Sequence, residues 1–90
     1  MRKRFHVYFS GSVQGVGFRF TTVRLARRFP VTGFVRNLAS GKVELVAEGE
    51  EKTLQEFLKA VREAFRDCVR DVETEWGSAT AGFEGFGIKF

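Results

Sequence analysis

Hydrophobic and polar positions change their period several times along this 90-residue chain, and each change marks an element. Residues 5–9 (FHVYF) set Phe5, Val7 and Phe9 against His6 and Tyr8. Alternation of this kind predicts a strand with one strongly buried face. A glycine-punctuated stretch, GSVQGVG, follows. Over 18–29 the spacing becomes helical, with Phe18, Thr22, Leu25 and Phe29 on one side and Arg24, Arg27 and Arg28 on the other. Pro30 stops that helix, because the residue before a proline is pushed out of helical geometry. Residues 31–38 and 42–48 read as two strands joined by an Ala39-Ser40-Gly41 hairpin, with Gly49 closing the second. Thr53 and Glu56 suggest a capping box. The second helix behind it has a stripe of Leu54, Phe57, Leu58, Val61 and Phe65. Residues 69–76 alternate again, with Val72, Thr74 and Trp76 opposite Asp71, Glu73 and Glu75. Residues 77–85 are small and Gly-rich and read as a loop. The tail FGIKF puts Phe86, Ile88 and Phe90 on one face of a short last strand.

The order is β-α-β-β-α-β plus a terminal strand. Two helices on one face of an antiparallel sheet form the ferredoxin-like α+β sandwich. Residues 1–90 make one domain, with no internal repeat or boundary. That fold hosts many unrelated functions, so the site has to decide.

Composition narrows the choice. A domain this small buries only about 60–65 % of the surface its unfolded chain exposes, which leaves no room for a second lobe or a large cofactor cleft. Apolar residues are 43 % and charged residues 29 %, the balance of a globular rather than a disordered chain. A single cysteine, Cys68, excludes an internal disulfide and a Cys-based zinc site, and reads as an inert small side chain. A single histidine, His6, excludes His-cluster metal chemistry, and excludes a Ser-His-Asp triad unless His6 itself serves. The net charge of +4 is unevenly spread. Residues 1–45 hold nine Lys/Arg and one acid, Glu44, whereas residues 46–90 hold six Lys/Arg and ten acids. The first half therefore attracts anions, with an inert basic surface as the alternative. The basic start, MRKRF, is not followed by the apolar stretch of a signal peptide, and no run approaches the ~20 apolar residues of a membrane span. The expectation is a cytoplasmic protein with no membrane partner.

The loop SVQGVGFR, Ser12 to Arg19, lies between the first strand and the first helix. Glycines let successive N–H groups point inward as an anion nest. The helix start adds partial positive charge and unpaired donors. Arg19 adds a fork of donors that matches two phosphate oxygens. Spacing alone leaves two readings open, a cradle for one phosphoryl group or a tight turn beside a solvated arginine. A Walker A loop would need a closing Gly-Lys-Ser/Thr, and none occurs. The dinucleotide fingerprint would need a third glycine at Phe20 and an acid about twenty residues on, where Leu38, Ala39 and Ser40 stand. A metal-assisted site would need converging carboxylates, yet residues 1–43 contain no Asp or Glu. The expectation is an anion held by donors alone, with no metal and no cofactor.

SVQGVGFRF, followed by GFVRN (Gly33 to Asn37) and SGKVELVAEG (Ser40 to Gly49), resembles the acylphosphatase family, and the likeness covers essentially the whole chain. It implies the ferredoxin-like fold and metal-independent hydrolysis of the carboxyl–phosphate anhydride of small-molecule acyl phosphates. By the resemblance, Arg19 matches the phosphate-binding arginine and Asn37 the asparagine that positions the attacking water. The backbone of Gln14, Gly15, Val16, Gly17, Phe18 and Arg19 matches the phosphate loop. A carboxylate leaves well unprotonated, so this chemistry needs no general acid, in keeping with a loop that lacks one. The chain departs from the family pattern in four places. Phe34 stands where Trp is frequent, Ser40 where Asp often precedes the hairpin glycine, Ser12 where a basic residue is common, and Pro30 where glycine usually ends the helix. Proline cannot form a left-handed cap, so the path over 29–32 must differ.

By strand alternation Arg36 points away from Asn37 and is structural or solvated. His6 is an ordinary sheet residue, with a proton shuttle as the lesser reading. Two alternatives remain. GVGFRF (15–20) and EGFGIKF (84–90) echo the aromatic motif of RNA-binding RRM domains, but one enters a helix and the other ends the chain, so core packing and no nucleic-acid partner are expected. The other keeps the fold and the phosphate site, as the carbamoyl-phosphate-binding accessory module of a carbamoyl-transfer protein. The 90-residue length favours a free-standing enzyme, expected as a monomer.

Overall fold

Alternation carries β1 well beyond 5–9, to Arg2–Gly11. In the computed structural model, which describes all of Met1–Phe90, β1 is followed by α1 (Phe18–Ala26), β2 (Thr32–Asn37), β3 (Val43–Glu50), α2 (Glu51–Ala64), β4 (Val69–Ser78) and β5 (Phe86–Ile88). The strands form one sheet in the order β4-β1-β3-β2-β5. The β1/β3, β1/β4 and β2/β3 pairs are antiparallel, while β5 joins β2 in parallel. This is the expected ferredoxin-like arrangement with one added edge strand. No helix is long and apolar enough to cross a membrane.

The core lies between the helices and one face of the sheet. Phe5, Val7, Phe9, Val35, Val43, Leu45 and Ala47 project from the strands, and Phe18, Ala26, Leu54, Phe57, Val61 and Phe65 come from the helical layer. Phenylalanine rings dominate the contacts. Phe18 lies 4.2 Å from Phe65 and 5.0 Å from Phe9, centroid to centroid. Phe57 meets Phe29 and Phe86, each at 5.7 Å. Each such pair adds about 0.5–1.5 kcal/mol beyond the area it buries.

Several local expectations are corrected. α1 stops at Ala26 rather than Phe29. Pro30 has no N–H to give the Ala26 carbonyl, so Phe29 N–H bonds it instead (3.1 Å), and Val31 N–H then turns back to the Phe29 carbonyl (2.8 Å). Ala26 therefore takes the buried place expected of Leu25, which is only partly buried. The Thr53–Glu56 capping box does not form, because β3 runs directly into α2 at Glu50–Glu51 and leaves Thr53 inside the first turn. Gly49 does not close β3 but pairs with Lys3 within it. A β-carbon there would lie 3.2 Å from the Pro30 carbonyl oxygen, so its absence admits the α1–β2 loop. Phe90 lies beyond β5 and is exposed rather than packed with Phe86 and Ile88. Trp76 does share the core side, edge-on to Phe5 at 5.5 Å, although β4 as an edge strand leaves it 44 % exposed.

The β4–β5 connection must travel from one sheet edge to the other, and it crosses the face opposite the helices. Glu48 of β3 anchors it there. This fully buried carboxylate accepts from Thr80 N–H, Thr80 Oγ1–H and Ala81 N–H, all at 2.8 Å, with Arg4 4.0 Å away. Phe83 then packs edge-on against Phe34 at 5.8 Å. Burial opposes the charge on Glu48, but the Thr80 and Ala81 donors and Arg4 outweigh it and hold the carboxyl below its usual range. Glu44, on the same face, is held low in the same way by His6 and Arg36 against its burial. Between the ordinary glutamate pKa and the lower folded one, the unfolded chain binds protons that the folded chain does not. Stability is therefore full above the ordinary value and lost as pH falls through the folded one. In urea melts, Glu48→Gln should lower stability at pH 7 by about 2 kcal/mol. It should also flatten, though with Glu44 intact not abolish, the fall below pH ~5.

Candidate active site

The segment between β1 and α1 is pinned at both ends and free in the middle. Val13 is fully buried, and Phe18 is wedged between Phe9 and Phe65. Ser12 N–H bonds the Cys68 carbonyl at 3.0 Å, tying the loop to the turn before β4. Residues 14–17 between these anchors are exposed. Gly15 (φ 79°) and Gly17 (φ 74°) adopt left-handed conformations that other residues rarely take, and Gly17 caps α1. None of the amides from Gln14 to Arg19 donates to another backbone or side-chain group. The first turn of α1 contains no acid to compete for them. Unspent N–H donors at a helix start carry the partial positive charge that suits an anion.

Asn37 reaches this loop through the sheet. Val43 of β3 pairs with Phe9 of β1 on one side and with Asn37 of β2 on the other. Phe9 and Asn37 thus lie in one row, just short of the loop that leaves β1. In β2 the alternation puts Asn37 on the helix-facing side with Val35. Its Oδ1 is buried without a hydrogen-bond partner, one of two such side-chain atoms in the protein. A buried acceptor in that state costs about 1–3 kcal/mol unless something fills it. Asn37 and Arg19 line the same cavity of about 260 Å³, with Val13, Gly15, Gly17, Phe18 and Phe20. The Arg19 guanidinium lies over the Phe90 ring, 5.2 Å from its centroid.

The structure therefore brings Arg19, Asn37 and the glycine loop together and separates the other candidates from them. Arg36 projects to the opposite face, where its Nε–H bonds Glu44. His6 is engaged with the same carboxylate, away from the cavity, so the proton-shuttle reading is discarded. Glu44, the one acid of the first half of the chain, is thus held on the far face. Phe18 is committed to the core and Phe86 packs partly against it, whereas Phe20 and Phe90 of the same two motifs are exposed, against the core packing expected of them. A larger groove of about 700 Å³ runs between α2 and β4, lined by Arg62, Arg66 and Arg70 among others, but it holds neither the glycine loop nor Asn37. Sequence reasoning missed the Gln14 side chain, whose Nε2–H groups donate to the Leu38 and Lys42 carbonyls at 2.8 and 2.9 Å. No local pattern signals such a bond, because it spans more than twenty residues.

The family model for Acylphosphatase matches residues 5–88. An acylphosphatase of Salinibacter ruber is 46 % identical over 88 residues, covering 97 % of this chain and 93 % of the relative. One of Dehalococcoides mccartyi is 48 % identical over 81 residues, covering 88 % and 89 %. The crystal structure of the acylphosphatase from Bacillus subtilis superposes with a TM-score of 0.87 at 31 % identity, covering 98 % of this chain and 99 % of that one. With the family match spanning nearly its whole length, the chain belongs to the acylphosphatase family.

Proposed function

We propose that this acylphosphatase binds the phosphoryl group of its substrate with Arg19 and the free amides of Gln14 to Arg19, and that Asn37 aims the attacking water. The observation that carries this reading is one cavity lined by Gly15, Gly17, Arg19 and Asn37, beside loop amides that have no partner. Phosphoryl transfer passes through a loose transition state with charge on the equatorial oxygens. Donors fixed in advance stabilise that charge without reorganising. The amides supply direction, and the Arg19 fork supplies charge and two parallel bonds.

Water attacks phosphorus opposite the acyl oxygen. The new P–O bond forms as the P–O bond to the acyl group breaks, and the bonding pair leaves on the carboxylate. The Asn37 carboxamide hydrogen-bonds the incoming water and fixes its line of approach. A carboxamide is too weak a base to take the proton, which passes to a phosphate oxygen. The carboxylate leaves as an anion, so no general acid is required. No step needs a metal. We take the enzyme to act as a monomer in the cytoplasm.

Benzoyl phosphate hydrolysis should proceed unchanged in excess EDTA, with inorganic phosphate as a competitive inhibitor. Dependence on an added divalent ion would refute the donor-only site. Arg19→Ala should lower kcat/KM by about a thousandfold or more. Arg19→Lys should recover little of it, because an ammonium lacks the fork; near-normal activity in that variant would remove the bidentate role. Asn37→Ala should lower kcat about a hundredfold while the inhibition constant for phosphate stays close to wild type. An equal loss in both would make Asn37 a binding residue.

A further inference from the structure

Gln14 opens the proposed phosphate loop, and its side chain has a second attachment that the backbone role does not require. Both N–H groups of its carboxamide are used, one on the Leu38 carbonyl and one on the Lys42 carbonyl. These carbonyls stand on the two sides of the β2–β3 hairpin neck. Leu38 follows Asn37, and Lys42 precedes Val43, the residue that pairs with Asn37. The neck is already closed by Leu38 N–H on the Lys42 carbonyl at 2.9 Å, so that oxygen accepts twice. A single side chain therefore joins the start of the anion cradle to the strand end that presents Asn37.

Gln14 is exposed, and water can replace its bonds, so they add little to stability. They do add geometry. The loop between Val13 and Phe18 has no internal hydrogen bonds to set its distance from β2. In-line attack is sensitive to that distance, since a displacement of about 1 Å can cost a hundredfold in rate. The hairpin tip beyond Asn37 is likewise exposed, at Ala39, Ser40 and Gly41, and needs a fixed point to keep the carboxamide from drifting.

We propose that Gln14 is a positioning residue: its carboxamide clamps the hairpin neck to the phosphate loop and so sets the separation of the bound phosphoryl group from the water held by Asn37. The proposal rests on the roles given above to Arg19 and Asn37. Gln14→Ala removes the clamp, and Gln14→Met removes both donors while keeping length and neutrality. Each should lower kcat for benzoyl phosphate by about tenfold to a hundredfold, with the inhibition constant for phosphate within about threefold of wild type and the thermal midpoint nearly unchanged. A residue acting through Asn37 has nothing left to act on once Asn37 is gone. Gln14→Met in an Asn37→Ala background should therefore lower kcat no further than Asn37→Ala alone.

Wild-type kcat in both Gln14 variants would overturn the clamp. So would losses that multiply in the double variant, or a phosphate constant that rises in step with the fall in kcat. Unchanged kcat in Asn37→Ala would overturn the underlying assignment of the water, and the clamp with it. A normal loss in Asn37→Ala beside a fully active Gln14→Met would overturn the clamp alone.

Discussion

An amide can hold an anion only while nothing else holds the amide. That constraint governs the region from Val13 to Arg19. The first-turn N–H groups of α1 are orphaned by helix geometry itself. Those before them stay free because left-handed Gly15 and Gly17 turn the chain without closing any internal bond. A stretch of unsatisfied donors would ordinarily wander, and here it cannot. Val13 and Phe18 are held in the core on either side, and Ser12 is tied to the α2–β4 turn. Rigidity comes from the ends and availability from the middle.

The sheet brings the Asn37 side chain to the cavity that this loop lines. β1 and β2 do not pair, yet both pair with β3, and Val43 stands between Phe9 and Asn37. Because both pairings are antiparallel, β1 and β2 run the same way and end on the same side of the domain. The loop leaving β1 and the carboxamide ending β2 are thereby neighbours without any direct sequence relation. The unpartnered Asn37 oxygen is a local cost to stability.

The two faces of the sheet divide the electrostatics. The helix-facing side is apolar up to the cavity. The opposite side carries the buried carboxylates, Glu44 with His6 and Arg36, and Glu48 beneath the crossing segment. An ionised carboxylate near the loop would repel a phosphoryl group, and the fold keeps each of these on the far side, satisfied by its own donors. The same crossing segment lets β5 reach the far edge and pair with β2, the strand that ends in Asn37.

Periodicity, a local property, was sufficient for the element order, the core stripe of α2 and the β1 alternation of Phe5, Val7 and Phe9. The chemical nature of the loop was also legible, since glycines, a helix start and Arg19 occupy consecutive positions. Local signals failed chiefly at the ends of elements. The Thr53–Glu56 box lost to a strand that continues straight into the helix. The end of α1 depended on a single N–H missing at Pro30, and Phe90 passed from an expected strand face to a position against Arg19. By itself, then, the sequence determined which chemistry is on offer: a donor-rich, acid-free loop and a carboxamide at a strand end. Only the tertiary structure decided that Asn37 faces that loop, that Gln14 binds the hairpin neck, and that β5 lies parallel to β2. Strand register and crossing direction are set by pairings between residues far apart in the chain, and no short window of sequence encodes them.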